Sequence, residues 1–119
     1  MASLEKANVE SPHTTWDFVA HGHMDEFTLG GLTLRRATFE PGWRWSEDVG
    51  PIVGADSCPA GHVGICLSGQ VTVRALDGLE LTFGPGDIFV MEPGHDAWTV
   101  GSEPCVWFDA GAAIPAKFP

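Results

Sequence analysis

Residues 84–98, Gly-Pro-Gly-Asp-Ile-Phe-Val-Met-Glu-Pro-Gly-His-Asp-Ala-Trp, constrain the fold more than any other stretch of the chain. Pro85-Gly86-Asp87 combines a fixed φ, a residue free to take positive φ and a side chain that caps its own turn. Ile88 to Glu92 is apolar and β-branched enough for a buried strand. Pro93-Gly94 turns the chain again and delivers His95, Asp96 and Trp98 to the mouth of a following strand. A helical hairpin cannot accommodate two tight turns separated by five residues; a sheet of short antiparallel strands can.

The remaining chain repeats this grammar. Thr15 to Ala20 and Glu26 to Leu29 read as short strands, and Gly30-Gly31 as a turn. Leu32 to Glu40 alternates, with Ala37 and Phe39 on one face and Leu34 and Arg36 on the other. Trp43 to Trp45 starts another strand, with both indoles on one face. Residues 46–61 show no period and read as a long loop, a feature that in a small domain is usually functional. From His62 to Leu67 the face of Val63, Ile65 and Leu67 is bulky, and the face of His62, Gly64, Cys66 and Ser68 is small. Val71 to Leu76, Asp77-Gly78 and Leu79 to Phe83 form a hairpin. Trp98 to Val100 and Cys105 to Phe108 complete nine to eleven strands, with no helix expected. The expected organisation is an N-terminal arm over 1–14, one all-β domain over 15–110 and a C-terminal tail over 111–119. So many antiparallel strands hide their edges by closing into a barrel or a jelly roll.

Sixteen acidic and six basic residues give a net charge of -10. That balance argues against nucleic acid and anionic membranes as partners, since both require a basic footprint. Three cysteines, an odd number without a C-x-x-C pair, do not form a disulfide framework and fit reduced thiols in the cytoplasm. No apolar run approaches membrane-spanning length.

With its turns in this order, residues 84–98 resemble the second motif of the cupin superfamily, G-D, four residues, then P-x-G-x-x-H. Phe39-Glu-Pro-Gly42 resembles the turn that precedes the first motif, and Val63 to Gly69 the strand and glycine that close it. The resemblance covers Leu32 to Phe108. It implies a single-domain antiparallel jelly-roll barrel, and a homodimer formed through an outer sheet face, for which Val63, Ile65 and Leu67 are suited. In metal-binding cupins the first motif supplies H-x-H, followed by a Glu seven residues before the closing glycine. Here that Glu slot holds His62. The H-x-H slot falls on Asp56 and Cys58, or on Asp48 and Gly50 if the loop is an insertion. The histidine of the second motif falls on Ala97, and His95 stands two residues earlier.

The candidate site residues follow. His62 and His95 are expected either to hold a metal or to act as acid/base groups. Cys58, four residues before His62, is a third metal ligand, since thiolate and imidazole both suit zinc, copper or iron. Asp96 could fix the tautomer of His95. Asp48, on the long loop, is a catalytic carboxylate at the barrel mouth. Trp45, Cys66 and Trp98 are expected along a ligand pocket. His21-x-His23, the one literal H-x-H, reads as a feature of the surface or of a dimer strand. Two functions stay open. One is a small-molecule enzyme of isomerase, cyclase, lyase or oxygenase type, working with a divalent metal (Fe, Zn, Ni, Mn or Cu) or by acid/base groups alone. The other is a metal-free binding or sensory protein.

Overall fold

The structure, a computed structural model, describes residues 3–112. The nine strands in it are β1 (Thr14–Asp17), β2 (Gly22–Leu29), β3 (Leu32–Phe39), β4 (Gly61–Ser68), β5 (Gln70–Ala75), β6 (Glu80–Phe83), β7 (Ile88–Met91), β8 (His95–Val100) and β9 (Cys105–Ala112). They form a six-stranded sheet ordered β1-β2-β3-β9-β4-β7 and a three-stranded sheet ordered β6-β5-β8, antiparallel throughout. The two sheets close on one core as a small jelly roll. Alternation along each strand decides what enters it: Ala37, Phe39, Cys66, Phe89, Met91, Cys105 and Trp107 from the larger sheet, Val71, Val73 and Ala97 from the smaller. Gly30 and Gly31 both take positive φ (53° and 78°), the conformation of a two-residue hairpin turn, and this fixes the β2–β3 register. The N-terminal arm lies along this hairpin: Gly30 N–H donates to Glu5 and Arg36 to the Val9 carbonyl. Most of the expected C-terminal tail, from residue 113 onward, lies outside the described residues.

The expected long loop differs from its reading. It begins with two short helices, α1 (Trp45–Asp48) and α2 (Gly50–Val53). Trp45 therefore opens a helical turn and does not extend a strand. The cause is capping from both sides. Asp48 accepts the Arg44 backbone N–H at 2.9 Å, and Asp96, across on β8, accepts the Ser46 N–H at 3.0 Å. Those bonds satisfy N–H groups that a helix start leaves free. The loop then returns to the sheet at Cys58.

Candidate metal centre

Three side chains from three segments converge at one end of the jelly roll. His62 is near the start of β4, on the face it shares with Gly64 and Cys66. His95 opens β8. Cys58 reaches them from the loop through an isolated β-bridge, in which its N–H donates to the His95 carbonyl (2.8 Å) and its carbonyl accepts from Gly94 N–H (2.6 Å). Cys58 Sγ lies 3.3 Å from His62 Nε2, and the imidazole rings of His62 and His95 are 5.3 Å apart. Among the described residues, Cys58, His62 and His95 form a group whose ligating atoms all lie within 4.8 Å of one another.

The far side of each imidazole is anchored. His95 Nδ1–H donates to the Glu92 carbonyl at 2.9 Å, which leaves Nε2 as the nitrogen available to the other two side chains. His62 Nδ1 lies 3.2 Å from Asp109 Oδ2. That contact is an ion pair and not a well-aligned hydrogen bond, since Nδ1 has no partner by angular criteria. Asp109 comes from β9, opposite Gly64 in the ladder. Gly64 is what permits the approach: a Cβ on it would stand 2.9 Å from both Cα and Cβ of Asp109. Burial opposes a charged Cys58, but hydrogen bonds from His62 and His95 outweigh it and bring the thiol down from 9.0 to about 6. Burial likewise disfavours the His62 imidazolium, yet Asp109 and Cys58 push it up from 6.5 to about 9. Without a metal, the pair rests as thiolate and imidazolium, with Asp109 behind.

Next to the two histidines is a small, partly open cavity of about 40 Å³. Phe18, Phe39, Trp43, Trp45, Trp107 and Asp109 are among its walls. One water needs roughly 10–15 Å³ of such space, so it admits a few waters or a molecule of few heavy atoms. A larger open depression of about 370 Å³ lies at the far end of β4, around Gly69, Gln70 and Pro85. It borders none of the three converging side chains, and size alone does not make it the site.

His62, His95 and Cys58 come together as expected, and Trp45 lines the cavity. Other expectations need correction. Cys66 does not line the cavity. It is fully buried in the core, its sulfur 3.8 Å from that of Cys105, and burial pushes both thiols up. Trp98 also lies outside the cavity, because on β8 its parity is opposite to His95 and Ala97; it stacks under the Arg44 guanidinium at 4.6 Å. Asp48 is buried but faces away from the cavity, holding His21 Nδ1 (3.1 Å) and the Arg44 N–H. Asp96 caps α1 and does not set the tautomer of His95; the Glu92 carbonyl does that. His21 and His23 are roughly half exposed and pair with Asp48 and Asp25, away from the centre. Sequence reasoning missed Asp109. A lone acid in the apolar run Cys105-Val-Trp-Phe-Asp-Ala110, on the inward parity of Cys105 and Trp107, was the available signal.

No family model and no curated protein matches the chain. Solved structures do. A protein of unknown function from Rhizobium leguminosarum superposes with a TM-score of 0.62 at 21% identity, over 95% of this chain and 100% of that one. A Klebsiella pneumoniae protein described as having a double-stranded beta-helix domain gives 0.58 at 18%, over 82% and 81%. A sugar phosphate isomerase of the cupin superfamily from Silicibacter pomeroyi gives 0.66 at 14%, over 93% and 77%. At such identities the likeness concerns the fold, and it agrees with the turn pattern, the strand order and the closed two-sheet core: this chain folds as a cupin.

Proposed function

We propose that the chain is a small-molecule enzyme whose jelly roll holds a divalent transition metal on Cys58, His62 and His95. One observation carries the reading: each imidazole has an acceptor behind its Nδ1, the Glu92 carbonyl for His95 and the Asp109 carboxylate for His62, and the two rings converge with a cysteine sulfur. A ligating histidine almost always has its other nitrogen fixed by a carboxylate or carbonyl, as Asp109 and the Glu92 carbonyl do here. The donor set also fits by size. Zinc bonds of about 2.3 Å to sulfur and 2.0–2.1 Å to nitrogen span a tetrahedral edge of about 3.5 Å, close to the 3.3 Å between Cys58 and His62. One thiolate and two imidazoles suit zinc, iron or copper better than magnesium or calcium. Three protein ligands leave a position open, the habit of catalytic rather than structural centres.

Such an ion would supply Lewis-acid polarisation of a substrate oxygen or an activated water. The protein's own part is positional. Asp109 holds the ring of His62, the Glu92 carbonyl holds that of His95, and the aromatic walls line the space beside them. A metal-free binding role is favoured by the small, aromatic-walled cavity. Elemental analysis separates the two. Tag-free protein purified without chelator should carry near-stoichiometric iron, zinc, nickel, manganese or copper, and the His62→Ala variant should lack it. Protein that stays empty after metal is offered would remove the metal reading and leave the binding one.

Two further parts of the reading concern surroundings. The outward face of β4 and β7 presents Val63, Ile65, Leu67, Ile88 and Val90, between 36% and 77% exposed. No charged side chain interrupts it, on a chain carrying -10 overall. A second copy of the chain is the partner we assign to this face, as a homodimer. Free Cys58, Cys66 and Cys105 fit a reducing cytoplasm, and no helix among the described residues is long and apolar enough to cross a membrane.

A further inference from the structure

Three buried polar atoms around the cavity have no partner within the protein: Nε1 of Trp43, Nε1 of Trp107 and Oδ1 of Asp109. Their residues are 2%, 4% and 2% exposed, and all three line the same space beside His62 and His95. The remaining unpaired atoms are of another kind. His62 Nδ1 is held by the Asp109 ion pair, and Glu92 does not border the cavity. Nearly every buried N–H and oxygen in a folded protein finds a partner, and an indole N–H is no exception. Two donors and one acceptor left open on three residues that border a single cavity describe the complement of a ligand.

That complement is specific. The ligand offers acceptor oxygen to the indole N–H groups and a donated hydrogen to the carboxylate. It has few heavy atoms, because the space is about 40 Å³. Its carbon skeleton meets Phe18 and Phe39. Its charge is set by the neighbours. A divalent ion at the centre is balanced by the Cys58 thiolate and the Asp109 carboxylate, so a neutral molecule meets no excess charge. A carboxylate or phosphate would face the buried Asp109 carboxylate, which is 2% exposed, at a cost in repulsion and desolvation.

We infer that the cavity recognises a small neutral hydroxycarbonyl, its carbonyl oxygen accepting from Trp43 and Trp107 and its hydroxyl donating to Asp109 Oδ1. Asp109 then has two tasks, with Oδ2 orienting His62 and Oδ1 reading the ligand. The inference rests on the proposed centre for where the ligand lies, not for how it is recognised.

The test uses two ketones differing by one hydroxyl, hydroxyacetone and acetone, titrated by ligand-observed NMR against zinc-loaded protein of verified metal content. Hydroxyacetone should bind about tenfold or more tighter, the worth of one hydrogen bond to a charged acceptor. Trp107→Phe, and separately Trp43→Phe, should weaken both ketones together and keep the preference for the hydroxyl. Asp109→Asn, measured at saturating zinc, should cut that preference to a few-fold while acetone binding persists. Equal affinity of the wild-type protein for the two ketones overturns the inference, as does a lack of binding by either, which would leave the three atoms to ordered water. The metal reading fails separately. Protein that holds no zinc yet still prefers hydroxyacetone keeps the recognition and removes the centre. Zinc-loaded protein that treats the ketones alike keeps the centre and removes the recognition.

Discussion

Replacing Gly64 by alanine should damage fold and site together. The new Cβ would stand 2.2 Å from the Phe108 carbonyl oxygen and 2.9 Å from Cα and Cβ of Asp109, where ordinary contact begins at 3.4 Å. Most of the opposing atoms are backbone, and Asp109 Cβ is fixed to it, so no rotamer change relieves the clash. β4 and β9 must separate by about 1 Å at the Gly64–Asp109 pair. Overpacking of this kind costs about 1–3 kcal/mol, and fixed neighbours put it toward the upper end. For a domain of this length each kcal/mol is worth about 4 °C, so the melting temperature should fall by about 4–12 °C. The same displacement draws the carboxylate away from His62. Zinc affinity should then fall about 10–100-fold, as when an outer partner of a ligating histidine is lost. Scanning calorimetry of metal-free protein reads the first effect, and competition against a chromophoric chelator the second. Gly84→Ala is the control: its Cβ would meet nothing closer than a Gln70 side-chain carbon at 3.8 Å, and it should leave both readings unchanged. A Gly64→Ala protein that melts within about 1 °C of wild type and binds zinc normally would refute the claim that this glycine sets the β4–β9 spacing and the place of Asp109.

Asp109→Asn keeps the shape and removes the charge behind His62; zinc affinity should drop about 10–100-fold with the circular dichroism spectrum unchanged, and a drop under about twofold would show that the carboxylate does not tune the ligand. In metal-free protein, alkylation by iodoacetamide should single out Cys58 and persist down to about pH 6; in His62→Ala the onset should move up toward 9.0, while Cys66 and Cys105 stay inert in both. The pH dependence of metal-free stability has a definite sign for each partner. The Cys58 contribution is complete above 9.0 and lost as pH falls through about 6; that of His62 is complete below 6.5 and lost as pH rises through about 9. Between about 6.5 and 9 the two run in opposite directions, so urea midpoints should be nearly level there, and a steep slope would mean that the groups titrate apart. Ile65→Asp, in the middle of the bare β4–β7 face, should convert a dimer to a monomer by light scattering with the circular dichroism spectrum unchanged; a wild-type protein already monomeric at assay concentration would dispose of the homodimer.

The fold was legible because its determinants are local. Pro-Gly and Asp-Gly turns, Gly30-Gly31 and period-two alternation each act within a few residues, and together they leave room for little besides a closed antiparallel sheet. The helix at Trp45 was not legible, because the acceptor for its Ser46 N–H is Asp96, on a strand far along the chain. The same distinction runs through the site. His62 could be found because Gly64 and Cys66, small and on its own face, leave space beside it. Cys58 was suggested by its spacing to His62, and the β-bridge to His95 that holds it in place is a long-range contact. Trp98, Cys66 and Asp48 were misplaced because a residue's face is set by register across turns and by burial depth, which the chain does not state locally.

Asp109 shows what tertiary structure adds. The cupin pattern expects a glutamate seven residues before the closing glycine, and His62 occupies that slot. A ligand set that merely lost a carboxylate would be poorer in negative charge and in outer support. Here a carboxylate stands behind that slot instead of in it: Asp109 Oδ2 lies 3.2 Å from His62 Nδ1. In the proposed centre Cys58 would supply the negative charge that the ligand set otherwise lacks. His62 and Asp109 are physically coupled, since Asp109 can lie behind the imidazole only while Gly64, opposite it in the ladder, has no side chain. His62, Gly64 and Asp109 therefore act as one unit. Restoring a glutamate at position 62 alone should not rebuild the family's usual centre, because its carboxylate would face Asp109, unpaired, in a buried space.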